Sequence, residues 1–271
     1  MKRLAWVSLI VLLLCWSAPA GAGSLGGLGQ LPGKGKFILG LQATWMAHTR
    51  GDDANLKSTL SNQGQSWPET SRIGKVKLDD DAYAMATLSY GLLDDLGLSL
   101  GAGVARGGVL TMDNSDAKLL SNFVWSLGAK YRLVEKGGVG IMLSARYLRY
   151  DDRKVADWRI DGQSSGDRMG YATSDSVDFY QVDGAASLYW KLGRCTPYLG
   201  AGFTYWEMSY QGKWNNPTNG AVIDYDATMR SRDWFTALAG LQLDLDYGLK
   251  LNLDGVFLGH TEVSLSLNYP F

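Results

Sequence analysis

The chain has 271 residues with 26 basic and 27 acidic side chains, a net charge of −1. No excess of positive charge is available to hold a phosphate backbone, so nucleic acid is not expected as a partner. Two cysteines (Cys15, Cys195) and two histidines (His48, His260) exclude a disulfide scaffold and a histidine-rich metal centre, and the 46% hydrophobic content suits soluble and membrane β proteins alike.

Met1, Lys2 and Arg3 are basic, residues 4–16 are apolar apart from Ser8, and small residues then offer cleavage sites after Ala20 or Ala22. This is the organisation of an export signal, expected over 1–22, and it is too short for a spanning helix. Leu14 precedes Cys15, where lipoprotein signals resemble one another in placing Gly or Ala, so Cys15 is expected to leave with the signal. Cys195 is then the sole mature cysteine and no internal disulfide forms. Residues 23–35 are Gly-rich and aperiodic, and read as a flexible lead-in.

From there apolar residues recur with period two. The first strand is expected over 36–47, with Phe37, Leu39, Leu41, Ala43 and Trp45 on one face. A polar segment over 48–71 separates it from a hairpin of strands at 82–92 and 98–105. A second polar segment, 106–118, leads to a fourth strand at 122–133, whose Phe123, Trp125, Leu127, Ala129, Tyr131 and Leu133 share a face. Strands over 139–150 and 176–192 flank the polar segment 151–175. A seventh strand over 196–208 precedes a loop at 209–220. The eighth is expected to be long, with Ile223, Tyr225, Ala227 and Met229 on one face before a membrane section at 234–245. A ninth strand at 249–258 turns through Gly259 and His260 into a terminal strand ending in Tyr269-Pro270-Phe271.

Long polar connections alternate with short turns, as they must when every second connection lies outside the cell. The fold class expected is therefore all-β: a transmembrane antiparallel up-and-down barrel over 36–271, with about ten strands and eight or twelve as alternatives. An even number returns both termini to the periplasm. The aromatics sort by strand end: Phe37, Tyr90, Tyr131, Trp190, Tyr198, Tyr269 and Phe271 at one end, and Trp45, Trp125, Tyr147, Tyr180, Tyr205, Phe235 and Phe257 at the other. Two interfacial girdles are what a bilayer asks of such rings.

The hairpin Ala86-Thr-Leu-Ser-Tyr-Gly-Leu-Leu-Asp-Asp-Leu-Gly-Leu-Ser-Leu100, the stretch Pro197-Tyr-Leu-Gly-Ala-Gly202 and the terminal strand resemble the small bacterial outer-membrane β-barrels of the OmpA-like and opacity-protein type. The resemblance implies residence in the outer membrane of a Gram-negative cell. It also implies contact with its lipid and lipopolysaccharide, and assembly by the barrel-assembly machinery, for which Tyr269 and Phe271 act as the signal. A monomer is expected, and no cofactor is implied. The family is functionally mixed, so it implies a fold and an assembly route rather than an activity.

Catalysis finds little support in the residues. Neither histidine sits in the Asp-x-His by which omptin-type barrel proteases resemble one another. Gly259-His-Thr-Glu262 does not match the His-x-Ser of outer-membrane phospholipases and deacylases. His260 reads as a turn residue. The acidic groups Asp52-Asp53, Asp79-Asp80-Asp81 and Asp151-Asp152 lack the spacing of a calcium loop and read as solvated, so no metal is expected. On the inward face, Lys130, Arg132, Arg146, Lys191 and Lys250 meet Asp183, Asp244, Asp254 and Glu262 in a predicted lumen charge network. Enclosed charges must pair or stay wet, so the network is either a plug or the lining of a narrow pore. Trp67, Trp158, Tyr171 and Trp214 among polar neighbours suit a recognition surface or the folding of long loops onto the barrel. The function expected is non-enzymatic, structural or surface-interacting, with a narrow passive pore as the alternative and an outer-membrane hydrolase as a third reading.

Overall fold

The computed structural model describes residues 31–271 except 75, 161, 165–171 and 217. The expected export signal, most of the lead-in and Tyr171 lie outside the described residues. The strands are β1 (Phe37–Arg50), β2 (Ala54–Asn62), β3 (Gln65–Ile73), β4 (Lys77–Leu93), β5 (Leu96–Met112), β6 (Ser115–Leu119), β7 (Asn122–Lys136), β8 (Val139–Ile160), β9 (Gln163–Ser164), β10 (Ala172–Trp190), β11 (Cys195–Asn215), β12 (Val222–Arg230), β13 (Phe235–Asp244), β14 (Lys250–Phe257) and β15 (His260–Pro270).

Ten of them close a ring by antiparallel pairing in the order β1, β4, β5, β7, β8, β10, β11, β13, β14, β15 and back to β1. The chain is a transmembrane up-and-down barrel. Closure removes every edge in the ring, which is the condition for a sheet to sit in hydrocarbon. Short turns at one end join β4 to β5, β7 to β8, β10 to β11 and β13 to β14. The turn from β7 to β8 uses Gly137 and Gly138, both with positive φ (62° and 81°), a conformation that costs glycine little.

The outward face carries Leu39, Leu41, Leu88, Leu98, Leu100, Val104, Phe123, Leu127, Leu143, Leu188, Leu199, Phe203 and Leu253, all exposed. So large an apolar belt would be untenable in water and marks the lipid-facing zone. Within it Trp125, Tyr147, Tyr180 and Tyr205 form one row of ring contacts at 5.4–6.1 Å, continued by Trp234. Tyr198 departs from the expected girdle. On β11 the odd-numbered Leu199, Ala201 and Phe203 face out, so Tyr198 faces the lumen and is buried.

The polar segments expected as loops are largely strands. β8 has 22 residues and β11 has 21, about twice the 9–11 that cross a bilayer. The ring therefore continues past the aromatic row as a protruding β-structure. β6 is wedged between β5 and β8. The hairpin of β2 and β3 is joined to the wall through β12. The expected long eighth strand is two: from Phe203 to Glu207 of β11 is four steps, while their partners Phe235 and Arg230 are five apart. The extra residue is a bulge at which β12 diverges from β13.

Above the aromatic row lies an apolar core that includes Leu110, Val124, Leu148, Phe179, Trp206 and Met208. A second apolar cluster, Met142, Ala185, Tyr189, Tyr198, Leu238 and Val256, runs down the wall toward the short turns, and Leu31 packs against it. Of the expected lead-in, Leu31 and Pro32 thus pack at that mouth. Pro32 is buried, and Gly35 N–H donates to Gly91 O at 2.8 Å.

Candidate functional site

A charged cluster crosses the lumen near the aromatic row, where Arg146 adjoins Tyr147. β8 and β10 pair Arg146 directly with Asp183, and period-two alternation turns both inward. The guanidinium donates through Nε at 2.8 Å and sits 2.7 Å from Asp183 Oδ2 through Nη2. Nη1 donates to Tyr83 Oη at 2.8 Å from β4, and Nη2 reaches Glu262 of β15 at 3.4 Å. Arg146 thus ties strands on opposite sides of the ring across the lumen. Asp183 also accepts from Gln181 Nε2 at 2.9 Å and Thr204 Oγ1 at 2.8 Å. His260 opens β15, is buried, and places Nε2 3.3 Å from Glu262 Oε2. Expected as a turn residue, it is the first residue of the terminal strand.

The two carboxylates thus lie against one guanidinium, with hydroxyl and amide donors filling remaining valences. Such satisfaction is what makes burial of charge tolerable. Glu262 is shared between Arg146 and His260, and Asp183 is the nearer partner of the guanidinium.

The nine residues of the predicted lumen network separate into groups. Arg146, Asp183 and Glu262 meet as described. Lys130 interacts electrostatically with Asp254. Arg132 is not brought to Asp183. It lies near the short turns, 2.6 Å from Asp95 and 3.5 Å from Glu135. Lys191 joins the same Glu135, which also accepts from Tyr189 Oη at 2.7 Å. These donors hold the Glu135 carboxyl below its ordinary range. Lys250 pairs with Asp244 at 3.1 Å. The separation follows from register: Arg146 is opposite Gly128 and Arg132 is opposite Met142, four residues and roughly 13 Å down the wall.

Tyr83, Gln181 and Thr204 join the central cluster without having been expected. Inward parity marks each, but their type carries no charge to draw notice. The pair Arg153 and Asp81 was equally hidden, inside segments read as solvated. Both side chains are buried, Nη1 lies 2.9 Å from each Asp81 oxygen, and Nε donates to Leu120 O at 2.7 Å. Arg153 also stacks over Tyr150 at 5.0 Å.

At the closure, Phe37 and Phe271 exchange backbone hydrogen bonds at 3.2 and 3.0 Å, and their rings stack at 5.9 Å. Tyr269 and Phe271 both face outward and are exposed.

No protein-family model matches the chain, and no curated protein does. Among solved structures it is similar to the outer membrane protein OprG from Pseudomonas aeruginosa, at 14% identity and TM-score 0.41, over 89% of this chain and 97% of that one. It is also similar to the outer membrane protease OmpT from Escherichia coli, at 12% identity and TM-score 0.45, over 86% and 97%. A third is the translocator domain of the autotransporter NalP from Neisseria meningitidis, at 8% identity and TM-score 0.45, over 87% and 88%. No activity passes from any of them to this chain at such levels.

Proposed function

We propose that this chain is a closed, non-enzymatic barrel of the outer membrane whose working part is the protruding β-structure, held outside the cell as a rigid interaction surface. The short turns and both termini then face the periplasm, and the barrel works as a monomer in lipid and lipopolysaccharide. The observation that carries this reading is Arg146, bonded across the lumen to Asp183, Tyr83 and Glu262 beneath the apolar core of the protruding part. A passive pore needs a continuous wet path, and interiors near this strand number are filled by side chains. Against the hydrolase reading, His260 is buried and its partner Glu262 is shared with Arg146.

The test is conduction. Purified, heat-modifiable barrel incorporated in a planar bilayer should give no stable single-channel steps. Regular steps from the wild-type protein would replace this reading with the pore.

A further inference from the structure

The protruding part holds an open pocket of about 380 Å³ lined from β2, β3, β5, β6, β8, β11 and β12, within the range of small-molecule sites. One wall is aromatic. Trp158 meets Tyr210 edge-on at 5.4 Å, Tyr210 stacks with Tyr225 at 5.2 Å, and Trp214 meets Tyr225 edge-on at 5.6 Å. Leu56 and Ile223 also line the cavity.

The polar atoms of Tyr210, Trp214 and Tyr225 are engaged behind this wall, whereas Trp158 Nε1 is buried without a hydrogen-bond partner among the described residues, and Ser58, Ser71 and Ser115 add hydroxyls to the lining. Tyr225 Oη donates to Asp175 Oδ1 at 2.8 Å, Tyr210 Oη donates to Tyr225 Oη at 2.8 Å, and Trp214 Nε1 donates to Asp175 Oδ2 at 3.4 Å. One buried carboxylate therefore fixes three rings and holds both phenol hydroxyls. The charges at the rim are engaged too: Arg72 pairs with Asp53, and Asp113 accepts from Gly74 N–H at 3.1 Å. Rigid rings need little ordering when they close on a ligand, which favours binding. A charged ligand would have to compete with these existing pairs and would lose its own hydration.

We infer that the cavity is a binding site for a small uncharged aromatic molecule taken from outside the cell. The inference goes beyond the interaction-surface reading and does not depend on whether the lumen conducts.

The test is equilibrium dialysis of radiolabelled naphthalene against the full barrel in lipid nanodiscs. Empty nanodiscs measure partition into lipid, and the Ile223→Trp barrel, whose added ring fills the cavity, tests the site. Folding of each barrel is checked by heat-modifiable migration. Wild type should show one saturable site above that background, and Ile223→Trp should weaken it at least tenfold. The charged analogues 1-naphthoate and 1-naphthylmethylammonium should bind at least tenfold more weakly than naphthalene. If Ile223→Trp fails to fold, Leu56→Trp on the hairpin takes its place. Linear uptake without saturation, or equal saturable binding in the filled variant, overturns the site. An equal or tighter charged analogue overturns the ligand class. Conducting barrels that still bind naphthalene saturably would remove the closed-lumen reading and leave the site standing.

Discussion

Arg146 and Asp183 are register partners on neighbouring strands, 2.7 Å apart, with side chains 8% and 0% exposed. This pair decides how the centre of the barrel behaves, because Arg146 is also the group on which Glu262 and Tyr83 converge. Asp183→Asn removes the nearer carboxylate and leaves Arg146 with Glu262 alone at 3.4 Å, and breaking a buried pair costs about 3–5 kcal/mol. The remaining contact with Glu262 puts the expected loss near the low end. Chemical unfolding of the detergent-solubilised barrel measures it, with Asp152→Asn, from an exposed pair with Lys154, as a near-neutral control. Equal stability of the two variants would mean that the centre is wet.

Acidity should act on the protruding part through Asp175. It lies five residues beyond Tyr180 of the aromatic row, roughly 17 Å along the strand, and burial raises its carboxyl above the ordinary carboxylate range. A carboxyl raised in the fold favours the folded state most when protonated, and that contribution fades as pH climbs through the raised value. The melting temperature of wild type relative to Asp175→Asn should therefore fall between acid and neutral pH. A difference that rises over the same interval would show that the tyrosine and tryptophan donors outweigh burial.

Topology is read by Cys195, which opens β11 at the short-turn end and is partly exposed. A membrane-impermeant maleimide should miss it in intact cells and label it once the outer membrane is permeabilised. Efficient labelling of intact cells would invert the barrel.

Assembly is read by Phe271, whose backbone and ring complete the closure against Phe37. Deleting Phe271 should leave unfolded chain in the periplasm, since the terminal aromatic is proposed to guide insertion. Normal amounts of heat-modifiable barrel in the outer membrane would reduce the residue to a packing contact.

Where a strand has lipid on one side, its sequence determined the fold. Leu39, Leu41 and their counterparts must alternate with inward residues because hydrocarbon accepts only the apolar set, and that period made the wall, its turns and its ring of about ten strands legible. The inward parity of Arg146, Asp183 and Glu262 was legible for the same reason. Past the aromatic row both faces of a strand meet water or a private core, the alternation lapses, and β2, β3 and the upper parts of β8 and β11 read as loops. Which inward charges meet was not legible either, because parity selects a face while register selects a height. Only the register of β8 on its neighbours sets Arg146 beside Asp183 and holds Arg132 four residues away with Asp95. Closure of the ring buries Arg153 on Asp81 and gathers Trp158, Tyr210, Trp214 and Tyr225 from three strands around one cavity, since residues so far apart in the chain become neighbours only when the sheet meets itself.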